Sequence, residues 1–375
     1  MRDEYLPYGH QWIDESDIQS VAEVLRADRI TTGGYVSQFE KVVASYCGAK
    51  YAVAVSSGTA ALHCACYVAG ISKDDEVITT PITFFADVAC VVFCGGIPKL
   101  ADIKASTMNI DPHKVKQVIT SKTKAIIPVD FAGHPADLDE INTLAKEHGL
   151  VVIEDACHAL GAEYKGRKIG SLSDMTVLSF HPVKHITSGE GGMILTDNEE
   201  YYEKMRRFRN HNIVHGLHHW EYKIYDVGYN YRLTDIQCAL GISQMGKLDS
   251  FVARRREIAR MYNDAFTSIK GIITPTELRH IKSSYHLYVI QLRSVNRDKF
   301  LEAIVAKKIG GQIHYIPIHY QPYMQMVWGY KHGDFPKAER YYRRAVSLPI
   351  FPKMTDSDVR DVIEAVKEEV SDGGK

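Results

Sequence analysis

From about residue 50, short β-rich runs alternate with helical stretches, and few folds tolerate that alternation. "YAVAVSS" is followed by "TAALHCACYVAG", "DEVITTPITF" by "FADVACVVFCGG", and "KAIIPVDFAG" by "DLDEINTLAKEHG" before "VVIEDACHA". Strands separated by helices imply βαβ units and a mostly parallel sheet covered on both faces. Ligands in such sheets sit at the carboxyl ends of the strands, where loops feed into helices. Further on, "QCALGISQMGKLDSFVARRREIARMYNDAF" reads as one long helix or two in series. "HLYVIQL" and "GGQIHYIPIHY" read as strand-like runs and "TDSDVRDVIEAVKEEV" as a closing helix, together a smaller α/β domain. At 375 residues two domains are expected, 1–245 and 246–375.

Charge narrows the partners. Lys plus Arg total 45 against 46 Asp plus Glu, which excludes the basic excess that nucleic acid or an anionic membrane requires. The polar, acidic start "MRDEYLPYGHQWIDESD" is no signal peptide, and no apolar run reaches the length of a membrane span. Seven cysteines lie scattered in apolar stretches without zinc-finger spacing, so buried free thiols in a reducing cytoplasm are expected.

Chemistry concentrates in four places. In "SSGTAAL", a strand runs into Ser57-Gly58-Thr59 and a helix begins at once, aiming free backbone N–H groups at a phosphate; Ser and Thr are equally ordinary N-caps. In "TTPITFF", Phe84 ends a second strand, where its face either meets a flat ring or fills the core. In "VVIEDACHAL", an apolar strand delivers Asp155 to its carboxyl end, where a buried carboxylate needs a cation such as a protonated pyridine nitrogen. Glu154 faces the other way, and His158 either packs on the ring or fills the core. In "VLSFHPVKHITSGEGGMILTD", Ser179 is placed to donate to the same phosphate and Lys184 to reach over the ring. Gly189, Gly191 and Gly192 let the chain turn closely beneath it. A phosphate cradle, a stacking ring, an acid for the ring nitrogen and a lysine for a Schiff base are the parts of a pyridoxal 5'-phosphate (PLP) site.

The chain resembles the DegT/DnrJ/EryC1/StrS aminotransferases of nucleotide-sugar biosynthesis nearly end to end. The likeness runs from "YGHQWIDESDI" through "GYNYRLTDIQCALGISQMGKLD" to "HYIPIHYQPY". The resemblance implies fold type I of the PLP enzymes, with a large domain on a mostly parallel seven-stranded sheet and a small C-terminal α/β domain. It implies a homodimer with active sites at the subunit interface, with PLP and its amino form PMP as cofactor. Lys184 is then the Schiff-base lysine, Asp155 the partner of the ring nitrogen and Phe84 the stacking ring, with Gly58, Thr59 and Ser179 around the phosphate and Asn230 serving the neighbouring subunit. "SFHPVK", "ITSGEGG" and "QIHY" look most like the enzymes that aminate C4 of a UDP-4-keto-6-deoxy sugar on the pseudaminic acid route. By that likeness Tyr8, Arg29, Ile30, Thr31, Thr32, Gln312, Ile313, His314 and Tyr315 line a pocket for the UDP-linked keto sugar, and L-glutamate is the donor. One departure bears on the substrate: many relatives carry a small polar residue and an asparagine where this chain has Asp87 and Ala89.

Other readings stay beside this one. A different keto sugar, or amination at C3, is open; a PMP-dependent dehydratase would carry histidine in place of Lys184, and a silent binding protein would lack the cofactor. The histidines at 211, 215, 218 and 219 have no carboxylate or cysteine at ligand spacing, so no metal is expected there. "ERYYRRA", 339–345, reads as a solvated helix face.

Overall fold

A computed structural model describes residues 2–218 and 220–372, which leaves His219 of the histidine group outside. Seven strands form the central sheet: β1 (Tyr51–Val55), β2 (Glu76–Thr79), β3 (Ile97–Leu100), β4 (Thr123–Ile126), β5 (Val151–Asp155), β6 (Met175–Ser179) and β7 (Gly192–Thr196). Their order is β1-β7-β6-β5-β4-β2-β3. β7 runs antiparallel to both neighbours, and every other pairing is parallel. The carboxyl ends of β1, β2, β4, β5 and β6 therefore open on one edge.

Side-chain alternation accounts for burial on both faces. Val53, Val55, Ile153 and Val177 enter one core with the helix α1 (Gly58–Val68), while Ala52, Ala54, Val152 and Leu178 enter the core on the opposite face. The strand β2 ends at Thr79, so "PITF" is loop rather than strand, and Phe84 stands five residues further on, just before the helix α2 (Ala86–Phe93). Pro81, which cannot donate to a ladder, accounts for the early end.

The long helical run is two helices in series, α3 (Asp235–Met245) and α4 (Leu248–Phe266), the first opened by a capping box between Thr234 and Gln237. α4 packs into a second core with an antiparallel sheet of Ile272–Ile273, Tyr288–Leu292 and Ala345–Leu348. Leu6 joins that core through a bridge to Ile309, so the N-terminal segment packs with the C-terminal sheet. "GGQIHYIPIHY" is not a strand: only Gln312 bridges, to Ser347, and Pro317 precedes a short turn of helix. "ERYYRRA" is not wholly solvated either, because Glu339 and Tyr341 are buried. Glu339 meets buried His319 at 3.0 Å, and the Tyr341 hydroxyl donates to the His314 carbonyl at 2.6 Å.

Candidate active site

The loops leaving β1, β5 and β6 converge on Gly58. A Cβ there would stand 3.1 Å from Ser179 Cβ and 3.4 Å from Cys157 Sγ, so glycine is what lets the three loops close together. Ser57 caps α1 by accepting from the Ala60 N–H at 3.1 Å, and Gly58 and Thr59 form the helix's first turn, half-buried. Gly192 has the same function from the other side, since a Cβ would lie 2.3 Å from the Ser57 carbonyl oxygen. The result is a helix N-terminus in an open notch beside the half-buried Ser179, suited to an anion.

Asp155 ends β5 and is 7% exposed. Its Oδ1 accepts from the Cys157 N–H at 3.0 Å, and its carbonyl accepts from the Asp130 N–H at 3.0 Å, which fix the side chain at the sheet edge. Lys184 lies in the turn between β6 and β7, its N–H donating to the His181 carbonyl at 2.9 Å. Burial lowers the Lys184 pKa, and the Asp155 carboxylate opposes that shift, which places the amine beside the end of β5. Gly9, in the segment carrying Tyr8, packs against Val183 and backs this turn.

Aromatic groups form the remaining wall. Phe84 is 62% exposed, a bare face next to the notch, 6.3 Å between centroids from Tyr315. Tyr8 lies 5.2 Å from His314, whose Nδ1 is 2.8 Å from Ser347 Oγ. His314 is pushed down to about 3, first by burial and then by Lys184. His158 packs 4.3 Å from His286, and His286 packs 5.6 Å from His185; burial drives all three well below the usual imidazole range. These are neutral rings behind Lys184. His286 had no mark in the sequence beyond opening an apolar strand.

The structure thus brings together Lys184, Asp155, His158, Ser179, Gly58, Thr59, Phe84, Tyr8, His314 and Tyr315. Arg29, Ile30, Thr31 and Thr32 sit instead beside the start of α3. That segment is exposed, with the Asp235 N–H donating to the Ile30 carbonyl at 3.0 Å and Thr31 bridging Thr234. Asn230, also exposed, bridges Asn210 on the β1 side of the sheet. Gln312 and Ile313 hold the edge of the second sheet, Gln312 exposed. Among the described residues no group of three His, Cys, Asp or Glu side chains could hold a metal ion, and no helix is long and apolar enough to cross a membrane.

These residues fit PLP on their own geometry: a notch that a Cβ at Gly58 or Gly192 would fill, a bare aromatic face, a buried carboxylate and an amine with its pKa lowered by burial. A mostly parallel seven-stranded sheet that gathers such a set at its carboxyl edge defines an α/β aminotransferase of PLP fold type I. The chain belongs to the DegT/DnrJ/EryC1/StrS aminotransferase family, whose model matches residues 11–367. It is similar to the spore coat polysaccharide biosynthesis protein SpsC of Bacillus subtilis, 42% identical over 98% of this chain and 97% of that protein. It is similar to a UDP-4-amino-4,6-dideoxy-N-acetyl-beta-L-altrosamine transaminase of Campylobacter jejuni, 37% identical over 98% of this chain and 99% of the other. The PLP form of a putative sugar aminotransferase from Streptococcus pneumoniae, Spr1654, superposes with a TM-score of 0.93 at 29% identity, over 98% of this chain and 99% of that one.

Proposed function

We propose that this aminotransferase carries PLP on Lys184 and moves an amino group from L-glutamate to C4 of a UDP-4-keto-6-deoxy-N-acetylhexosamine, a step of the pseudaminic acid type. The observation that carries the reading is the placement of the Lys184 amine, its pKa lowered by burial, within electrostatic reach of Asp155 at the end of β5. PLP, when bound, supplies an aldehyde that takes up the amino group and a ring that accepts the electron pair released at the substrate carbon.

Each residue has a separate task. Burial raises the neutral fraction of the Lys184 amine, the form that attacks a carbonyl or takes a proton. Nζ removes the α-proton of L-glutamate and, in the second half-reaction, delivers a proton to C4 of the sugar. Asp155 holds the ring nitrogen protonated, Gly58, Thr59 and Ser179 take the phosphate, and Phe84 and His158 bracket the ring. Residues 1–245 form the large domain and 246–375 the small one. Two copies share their sites in the cytoplasm, Asn230 and the Arg29–Thr32 segment serving the neighbour. The exposed apolar side chains Leu217, Tyr222, Ile224, Tyr225 and Val227, on and after the hairpin 213–224, support such an interface.

The sugar rests on the Campylobacter relative's name. The greater identity to SpsC, named for spore coat polysaccharide biosynthesis, favours a second reading, a nucleotide sugar outside the pseudaminic acid type. Two experiments test these layers. Borohydride reduction of the yellow, PLP-loaded protein should fix the cofactor to Lys184, and an adduct mapped to another lysine such as Lys168 overturns the site. Offering UDP-linked 4-keto-6-deoxy epimers with L-glutamate, and identifying the amino sugar by mass and NMR, decides between the sugars.

A further inference from the structure

Asp87 sits in the first turn of α2, 1% exposed. Thr83 Oγ1 donates to its Oδ2. Its Oδ1 is shut away from water and has no partner. The groups that face this carboxyl from the surrounding elements are Asp155 from β5, Cys66 from α1, Cys90 from its own helix, and Cys157, Lys184 and Tyr315 from the loops. Asp155 is the strongest of these in effect, its charge acting on the Asp87 carboxyl at close range.

Two carboxylates at close range, with one lysine amine for company, cannot both be charged. Taking a second anion out of water costs several kcal/mol. The end of a short helix favours an anion in its first turn too weakly to reverse that. Burial and the Asp155 charge both raise the Asp87 pKa well above the usual carboxylate range, so the proton resides on Asp87. A protonated carboxyl has one O–H to donate, and the oxygen without a partner is where it is needed.

We propose that Asp87 is a positioning residue for Asp155: a neutral carboxylic acid whose O–H donates to the Asp155 carboxylate, holding it in place and keeping it charged. This rests on the reading of Asp155 as the partner of the cofactor's ring nitrogen. Anchored by the Cys157 N–H and by Asp87, the Asp155 carboxylate faces the ring without reorganising when the cofactor arrives.

The test compares Asp87→Asn, which keeps a donor, with Asp87→Leu, which keeps the volume and loses it. In the apo protein at neutral pH, the infrared difference spectrum of wild type minus Asp87→Asn should show the carbonyl stretch of a protonated carboxyl, beyond the band that Asp130 gives in both. PLP affinity, measured by equilibrium dialysis, should be within about twofold of wild type for Asp87→Asn. For Asp87→Leu it should fall by about tenfold or more, as expected for loss of a hydrogen bond to a charged group. The pH midpoint of the visible absorption of bound PLP should shift in Asp87→Leu and not in Asp87→Asn. Asn behaving like Leu would mean that Asp87 acts as an anion, and Leu behaving like wild type would mean that it has no role; either result overturns the proposal. So does a wild-type apo protein with no protonated carboxyl signal at this residue, a measurement that stands even where Asp87→Leu fails to fold. If Asp155→Asn leaves PLP binding and absorption unchanged while the infrared signal is present, the reading of Asp155 has failed and the Asp87–Asp155 bond has not.

Discussion

His158 and Tyr315 meet edge to edge, Nε2 of the imidazole 3.1 Å from the phenol oxygen. The direction of this bond follows from the other nitrogen. Nδ1 accepts from the Ala132 N–H at 3.4 Å, and burial keeps the ring neutral, so Nε2 carries the hydrogen and donates to Tyr315. The Tyr315 oxygen is thereby an acceptor toward His158, and its own O–H is directed elsewhere. Burial and the charge of Asp155 keep that phenol protonated. It is a fixed donor at the rim of the site, near the Phe84 face.

Tyr315→Phe is therefore expected to keep its fold and its yellow cofactor while losing about 10- to 100-fold in kcat/KM for the keto sugar, the worth of one hydrogen bond to a developing charge. Steady-state kinetics beside a melting curve check this. Unchanged kcat/KM would show that the hydroxyl serves His158 alone.

Asp155→Ala should leave some PLP bound and nearly abolish turnover. Removing one member of a buried charge pair costs ~3–5 kcal/mol, several decades of rate when it falls on the transition state. Single-turnover measurements with L-glutamate separate this from weak cofactor binding. A variant within tenfold of wild type would show that the ring nitrogen has another partner.

The sequence made the sheet and its edge legible because strand runs and turn glycines are local signals. "VVIEDACHAL" and "SSGTAAL" fold as their patterns imply, with Asp155 at the end of β5 and Gly58 opening the helix after β1. What it could not show were contacts between distant segments. Asp87 looked like a departure in substrate choice, yet what distinguishes it is a neighbour 68 positions away, Asp155. His286 opens an apolar strand, and only packing against His158 and His185 gives it meaning. "GGQIHYIPIHY" has a strand's composition, but Pro317 and the single bridge at Gln312 leave it a loop that carries His314 and Tyr315 inward.

Behind β5 a second acid pair gives a pH signature. Asp130 Oδ2 and Glu154 Oε1 are buried without other partners, their carboxyls in contact, while Thr176 donates to Glu154 at 2.9 Å and the Ala136 N–H to Asp130 at 2.8 Å. Burial raises both pKa values, and Glu154 raises Asp130 further, so Asp130 holds the proton. A carboxyl with a raised folded pKa contributes stability below its unfolded pKa of about 4 and loses it as pH rises through the folded value. Asp130→Asn supplies a permanent N–H donor to Glu154 and should remove that loss. Urea unfolding is expected to show the variant gaining on wild type as pH rises from the unfolded carboxyl pKa of about 4 through the raised folded value. A difference that stays flat with pH would mean that the pair holds no proton.

The shared-site reading is tested by mixing two dead proteins. Asn230 is paired through its backbone with Asn210, and the next residue, Tyr231, accepts from the Ser56 N–H at 2.8 Å, two residues before Gly58. If it serves the neighbouring site, Lys184→Ala and Asn230→Ala should rescue each other once subunits exchange. A mixed dimer then holds one site with both defects and one with neither. At equal mixing half the dimers are mixed and half their sites intact, so activity should return to about a quarter of wild type, by the arithmetic of a two-fold interface. Both parents must first prove dimeric and separately inactive, and exchange must be confirmed with differently tagged chains. A mixture that stays inactive despite exchange would place Asn230 in its own subunit's chemistry, or outside the chemistry altogether.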